Sequence, residues 1–227
     1  MPIYNAALAA VDAKETRRYA GLQRAEDFSE NLIAAACEEA LVLIEPRSIW
    51  QEYGYDAVRQ MIFADGEEIH IAGKSIGKHL AGCEKVIALA ATVGETIENE
   101  VTAKFDRGEY TAATLLDAAA TAAVEQVADE TEKAVRRVAE PQGFLMRRRF
   151  SPGYGDWQLA EQRNMVRLCR AAEIGIALSS SLMLMPRKSV TAIIGLKRKC
   201  GEYSAFVPQA TGCKACGKVD CPSRLLW

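Results

Sequence analysis

The chain has 227 residues, 28 basic and 30 acidic side chains, a formal net charge of −2 and 49% hydrophobic residues. Charge this balanced lacks the concentrated basic excess of a nucleic-acid or anionic-membrane partner, and a chain this long buries a core without disulfide staples. The first residues lack the basic flank, apolar core and small-residue cleavage site of a secretory leader, and Glu38 and Glu39 interrupt the most apolar early stretch, so a cytoplasmic protein with no membrane partner is expected.

The first fifty residues read as mainly helical. Asp12-x-x-Glu15 is a capping-box pattern opening a short helix that Gly21 closes, and Ser29 precedes a second amphipathic helix through Leu32, Ile33, Ala36, Cys37, Ala40 and Leu41, ended by Pro46. Val58 to Ala64 and Glu67 to Ile71 flank Asp65-Gly66, the strongest hairpin signal in the chain. A short helix is expected from Ser75 to Leu80, then a buried strand from Lys85 to Ala91 that runs into Thr92-Val93-Gly94. Helices follow from Glu95 to Phe105 and from Tyr110 to Ala139, the latter alanine-rich and stopped before Pro141. Gly143 to Phe150 reads as a strand, Leu159 to Ala172 as a helix, and Leu182 to Met185 and Val190 to Leu196 as strands bracketing Pro186-Arg187-Lys188. Helices and strands alternate irregularly around a hairpin, which points to an α+β fold with a mainly antiparallel twisted sheet and flanking helices. Residues 1–199 form that domain. Residues 200–227 are a cysteine-rich tail without apolar periodicity.

Seven cysteines are present. Cys37 and Cys169 fall at helical spacing among apolar residues and read as small buried hydrophobes, while Cys83 has no assigned role. Cys213, Cys216 and Cys221 make a C-x2-C-x4-C cluster, and Cys200 is placed to supply a fourth thiolate. Four soft ligands in a reducing compartment suit zinc or an iron-sulfur cluster, and the spacing does not separate the two.

A second feature is Arg149-Phe150-Ser151-Pro152-Gly153-Tyr154-Gly155-Asp156-Trp157. Regular strand alternation places Arg147 and Arg149 on one face and Arg148 on the other. Arg149 at the strand end can grip a carboxylate with two parallel hydrogen bonds, and Gly153 and Gly155 let backbone approach a ligand. Tyr154 and Trp157 add aromatic surface for a flat ring or a cationic sulfur.

Arg149-x-x-Pro152-Gly153-Tyr154 resembles the S-adenosylmethionine-binding signature of the activation domain of cobalamin-dependent methionine synthase, and Pro186-x-x-Ser189-Val190 resembles that family's second motif. The likeness extends more loosely over most of the chain, including Thr92-Val93-Gly94 and the long helix, where Glu125 matches an acidic ligand contact. It implies that Arg149 binds the methionine carboxylate, and that Pro152, Gly153, Tyr154 and Gly155 surround the ligand. The chain departs from the family at Gly155-Asp156-Trp157-Gln158, and Ile193 and Ile194 replace expected aromatic residues. These departures and the cysteine tail fit a stand-alone relative.

The resemblance implies a protein that supports reductive methylation of the cobalamin carried by a separate methionine synthase or another corrinoid protein, with flavodoxin or ferredoxin as candidate electron donor. Catalysis is then positioning, so no titratable dyad is expected. An alternative is a metal- or iron-sulfur-stabilised interaction or electron-transfer protein acting on a corrinoid protein, favoured by Ile193 and Ile194. An independent methyltransferase is disfavoured because no Gly-rich loop follows a first strand. Glu68-x-His70-x-x-Gly73 echoes a cobalamin-binding Asp-x-His-x-x-Gly, but lies in the expected hairpin. His79 is expected at the surface.

Overall fold

Asp12 caps the first helix, α1 (Ala13–Tyr19), accepting the amides of Lys14 and Glu15 at 2.8 and 3.0 Å in a computed structural model that describes residues 3–199. Glu15 does not complete the expected capping box. It pairs with Arg18, and the Asp12 amide donates instead to Gln126 Oε1 at 2.9 Å. Gly21, at φ +74°, ends the turn: its amide and that of Leu22 donate to the carbonyls of Arg18 and Arg17, which would otherwise be orphaned. The second helix, α2 (Glu30–Leu43), stops before Pro46 as expected.

The principal sheet has six antiparallel strands. They are β1 (Arg47–Asp56), β2 (Met61–Ala64), β3 (Glu67–His70), β4 (Lys85–Thr92), β5 (Phe144–Met146) and β8 (Ser189–Arg198), in the order β3-β2-β1-β4-β8-β5. A separate two-stranded ribbon joins β6 (Ala177–Leu178) to β7 (Leu184–Met185). The expected α+β class and antiparallel sheet are both present. Ala64 pairs with Glu67 across Asp65 and Gly66, whose φ values of +51° and +81° are those of a two-residue primed turn.

β4 is buried on both faces, which explains its unbroken apolar run. Ile87, Leu89 and Ala91 join one core, beneath α2, α4 (Thr96–Asp106) and α5 (Tyr110–Ala139), while Val86, Ala88 and Ala90 join the other. The alanines of α5 let that helix lie close against its neighbours, with Ala119, Ala120, Ala123 and Ala128 fully buried. The second core is closed by α3 (Lys74–His79), α6 (Gln162–Leu168) and Trp157.

Several expectations are corrected. β1, a ten-residue strand beside β4, begins within the first fifty residues, which were expected to be mainly helical, and continues through residues for which no element was expected. The expected helix from Leu159 to Ala172 is broken into a 3-10 turn at Leu159–Glu161, then α6, then a second 3-10 turn at Ala171–Ile174. Arg170 turns left-handed at φ +57° between the last two, so Leu168, Cys169, Ala171 and Ile174 all enter one core. Leu182, at φ +65°, cannot belong to the extended strand that begins only at Leu184. Cys37 and Cys169 are buried as expected, and Cys83 is also buried, at 3% exposure. Cys200, Cys213, Cys216 and Cys221 lie outside the described residues, as does their expected metal site. Among the described residues no cluster of His, Cys, Asp or Glu is arranged to hold a metal, and no helix is long and apolar enough to cross a membrane.

Candidate functional site

The site begins with a miscount between two strands. Met146 pairs with Leu196, and Phe150 pairs with Ile193, so four steps along one chain match three along the other. One extra residue is therefore accommodated as a bulge around Arg148 and Arg149, and bulges re-aim side chains. Arg147 points into the space near Cys83 and Leu80 on the face of the second core. Arg149 crosses to the opposite face and reaches α5. The expected pairing of Arg147 with Arg149 on one face is thus overturned, and Arg148 shares a cleft with Arg149 instead.

That cleft, about 620 Å³ in volume, lies between α5 and residues 148–154, with Val190 of β8 at its base. Its α5 wall is built from Glu125, Asp129, Glu132 and Arg136, which recur at helical steps and so share one face. Arg149 Nη1 donates to Asp129 Oδ1 at 2.6 Å and to Glu132 Oε2 at 3.2 Å, while Nη2 donates to Glu125 Oε2 at 3.1 Å. Burial works against the Arg149 charge, but Asp129, Glu125 and Glu132 together hold its guanidinium above its ordinary pKa. Burial pushes the Glu132 carboxyl up, and the nearby Arg149 and Arg136 charges only partly oppose it. Tyr154 stands 57% exposed at the rim with its ring edge-on to Phe150, and burial followed by the Glu125 charge raises its hydroxyl pKa.

Of the residues expected at the site, the structure brings Arg149, Tyr154 and Glu125 together. Pro152, Gly153 and Gly155 shape the loop without lining the cleft. Gly153, at φ +92°, donates its amide to the Trp157 carbonyl at 2.7 Å. A Cβ on Gly155 would come within 2.7 Å of Ser75 Oγ. Trp157 is not available to a ligand: it is 2% exposed and plugs the second core. His79 is likewise not a free surface residue. Its ring packs 5.1 Å from that of Phe150, Nε2 donates to the Arg148 carbonyl at 2.7 Å, and burial lowers its pKa. Ile193 and Ile194 are both fully buried, one in each core, and neither lines the cleft. His70 sits on β3, at the sheet edge.

Asp156, where the chain departs from the family motif, has a clear structural task. Its Oδ2 and Oδ1 accept the amides of Lys74 and Ser75, each at 2.8 Å, so it caps α3 from 82 residues away. These bonds hold its carboxyl down to about 2. Because the folded value is depressed, the anchor's contribution is present above the unfolded value of 3.8 and is lost as the pH falls through about 2. In Asp156→Ala, amide exchange at Lys74 and Ser75 is expected to accelerate by about an order of magnitude at neutral pH, and in Asp156→Asn much less. Unchanged exchange in the alanine variant would show that α3 is anchored elsewhere.

The second motif acts from the end of β8. The Lys188 amide donates to Glu98 at 2.6 Å, Ser189 Oγ donates to Thr92 Oγ1 at 2.9 Å, and Lys188 Nζ pairs with Asp117 at 2.8 Å. Thr92-Val93-Gly94 and the second motif are thus bolted together, and Val190 is set against the cleft.

No family model matches this chain, and no curated protein matches it. Among solved structures it is similar to the crystal structure of the MetH reactivation domain bound to AdoHcy, with a TM-score of 0.56 over 89% of this chain and 81% of that one, at 13% identity. The fold is that of the MetH reactivation domain. Asp129, Glu132 and Arg148 were missed in the sequence. The two acids were within reach of it, since they follow Glu125 at steps of four and three on an already recognised helix.

Proposed function

We propose that this chain binds S-adenosylmethionine in the cleft along α5 and supports reductive methylation of cobalamin held by a separate methionine synthase. The observation that carries the reading is the assembly of Arg149, Tyr154 and Glu125, from two distant segments, around one open cleft. The fold's likeness to a domain whose solved structure contains AdoHcy supports it. A cleft of about 620 Å³ is within the range of roughly 300–1,000 Å³ that suits a nucleoside-sized ligand.

The ligand carries an ammonium, a sulfonium and a carboxylate, and the cleft supplies both signs of charge to meet them. In the reaction one electron reduces Co(II) to Co(I), which takes the methyl group from the sulfonium and leaves the neutral thioether. This chain's residues hold the donor in place, with Tyr154 offering an aromatic face at the open rim where a partner must approach. Flavodoxin or ferredoxin is the proposed source of the electron.

Calorimetric titration of the full, anaerobically purified chain with S-adenosylmethionine should show saturable one-to-one binding. Tyr154→Ala should weaken it about tenfold, or about 1.4 kcal/mol. No saturable binding by the wild type, either alone or with a cobalamin-loaded synthase present, would overturn the reading.

A further inference from the structure

The segment that carries Arg149 and Tyr154 is gripped at both ends by one short helix, α3. At the start of that helix the amides of Lys74 and Ser75 donate to Asp156, and at its end His79 Nε2 donates to the Arg148 carbonyl at 2.7 Å. Arg149, Tyr154 and the turn that joins them lie between the two ties. Ser75 packs against Gly155, and the His79 ring lies 5.1 Å from that of Phe150. Gly77 packs in turn against the side chain of Gln60, the residue before β2, so the helix is itself seated on the sheet edge.

The ties matter because the turn closes on itself. Its Gly153 and Tyr154 amides donate to the carbonyls of Trp157 and Ser151, bonds that fix the shape of the loop but not its place over the cleft. The bulge also takes Arg148 out of the ladder. The Arg147 amide donates to the Gly195 carbonyl at 2.8 Å, and Phe150 exchanges two bonds of 2.9 Å with Ile193, so the β8 ladder skips the Arg148 carbonyl. A backbone acceptor left over by a bulge costs free energy unless a donor meets it, and His79 is that donor. A ring nitrogen that donates to a carbonyl carries the proton, which fixes the neutral imidazole as its Nε2–H tautomer.

We propose that α3 is a brace that holds the ligand segment in register from outside the cleft, and that His79, acting through the Arg148 carbonyl, is a positioning residue for S-adenosylmethionine binding. His79 does not line the cleft. The inference rests on the S-adenosylmethionine reading and adds to that site a residue more than 60 positions upstream of the motif it steadies.

The test is calorimetric titration of the full chain with S-adenosylmethionine. His79→Phe keeps a ring against Phe150 and removes the donor, whereas His79→Gln keeps a donor and removes the ring. The phenylalanine variant should bind about tenfold more weakly than the wild type, and the glutamine variant should stay within about threefold of it. Asp156→Ala, which frees the other end of the brace with His79 intact, should also weaken binding about tenfold, and Asp156→Asn by less. Ring nitrogen chemical shifts of neutral His79 in the wild type should show a protonated Nε2. Wild-type affinity in His79→Phe, equal weakening in the phenylalanine and glutamine variants, or a bare Nε2 would each overturn the role of His79 and leave the S-adenosylmethionine reading standing. If His79→Phe does not fold, the Asp156 pair and the tautomer decide, and full affinity in Asp156→Ala would overturn the brace. Wild type that binds no S-adenosylmethionine, alone or with a cobalamin-loaded synthase, would overturn both.

Discussion

Trp157→Ala should lower the unfolding free energy by about 3–5 kcal/mol, the range for deleting a large aromatic side chain from a core. Trp157 is 2% exposed, lies 6.0 Å ring to ring from Phe150, and shares the second core with Ile76, Met165 and Leu168. Backbone ties make the loss felt at the cleft: the Trp157 carbonyl accepts the Gly153 amide, and its own amide donates to Tyr154. Its indole Nε1 is buried with no hydrogen-bond partner among the described residues, so Trp157→Phe removes an unmet donor along with volume. The phenylalanine variant should accordingly cost only about 1–2 kcal/mol. Urea unfolding of the two variants measures both losses. An alanine cost below that of phenylalanine would mean that the side chain does not fill this core.

Arg149→Met should destabilise the fold by about 2–3 kcal/mol at pH 7, somewhat less than the usual cost of stripping one partner from a buried ion pair. The discount has a structural cause. Asp129 and Glu125 are 59% and 39% exposed and can turn to water, whereas Glu132, at 17%, is left charged in poor solvent. Burial already raises the Glu132 pKa above its ordinary 4.5, and removing Arg149 raises it further. A carboxyl with a raised folded pKa contributes stability that is present below its unfolded value and is lost as the pH rises through the folded value. The deficit of Arg149→Met should therefore shrink as the pH is lowered from 7 towards 5. Equal deficits at both pH values would exonerate Glu132.

Much of this architecture was legible in local chemistry. The long helix runs from Tyr110 to Ala139 as read, because alanine-rich periodicity and Pro141 leave little choice, and Asp65-Gly66 announced its own hairpin. β1 was not legible. Gln51, Glu52 and Gly54 blur its alternation, and it is held by pairing with β4, a partner distant in sequence. At the cleft, Arg149 and Tyr154 were expected from the motif and Glu125 from the looser likeness along the long helix, and Asp129 and Glu132 were available from the helical repeat. Arg149 was expected on the face of Arg147 because a bulge is decided by register against β8, and nothing within Met146 to Phe150 marks it.

That register makes the cleft sensitive to chain length in a way that differs from its sensitivity to chemistry. If one residue were deleted between Arg147 and Phe150, the two strands would pair without the bulge, with Phe150 still opposite Ile193 and a single residue, opposite Ile194, left between Arg147 and Phe150. That residue would lie on the α5 face with Ile194, so the cleft would receive one arginine from this segment where it now receives two, Arg148 and Arg149. The number of residues in this segment, and not only their chemistry, therefore sets how many cations reach the cleft.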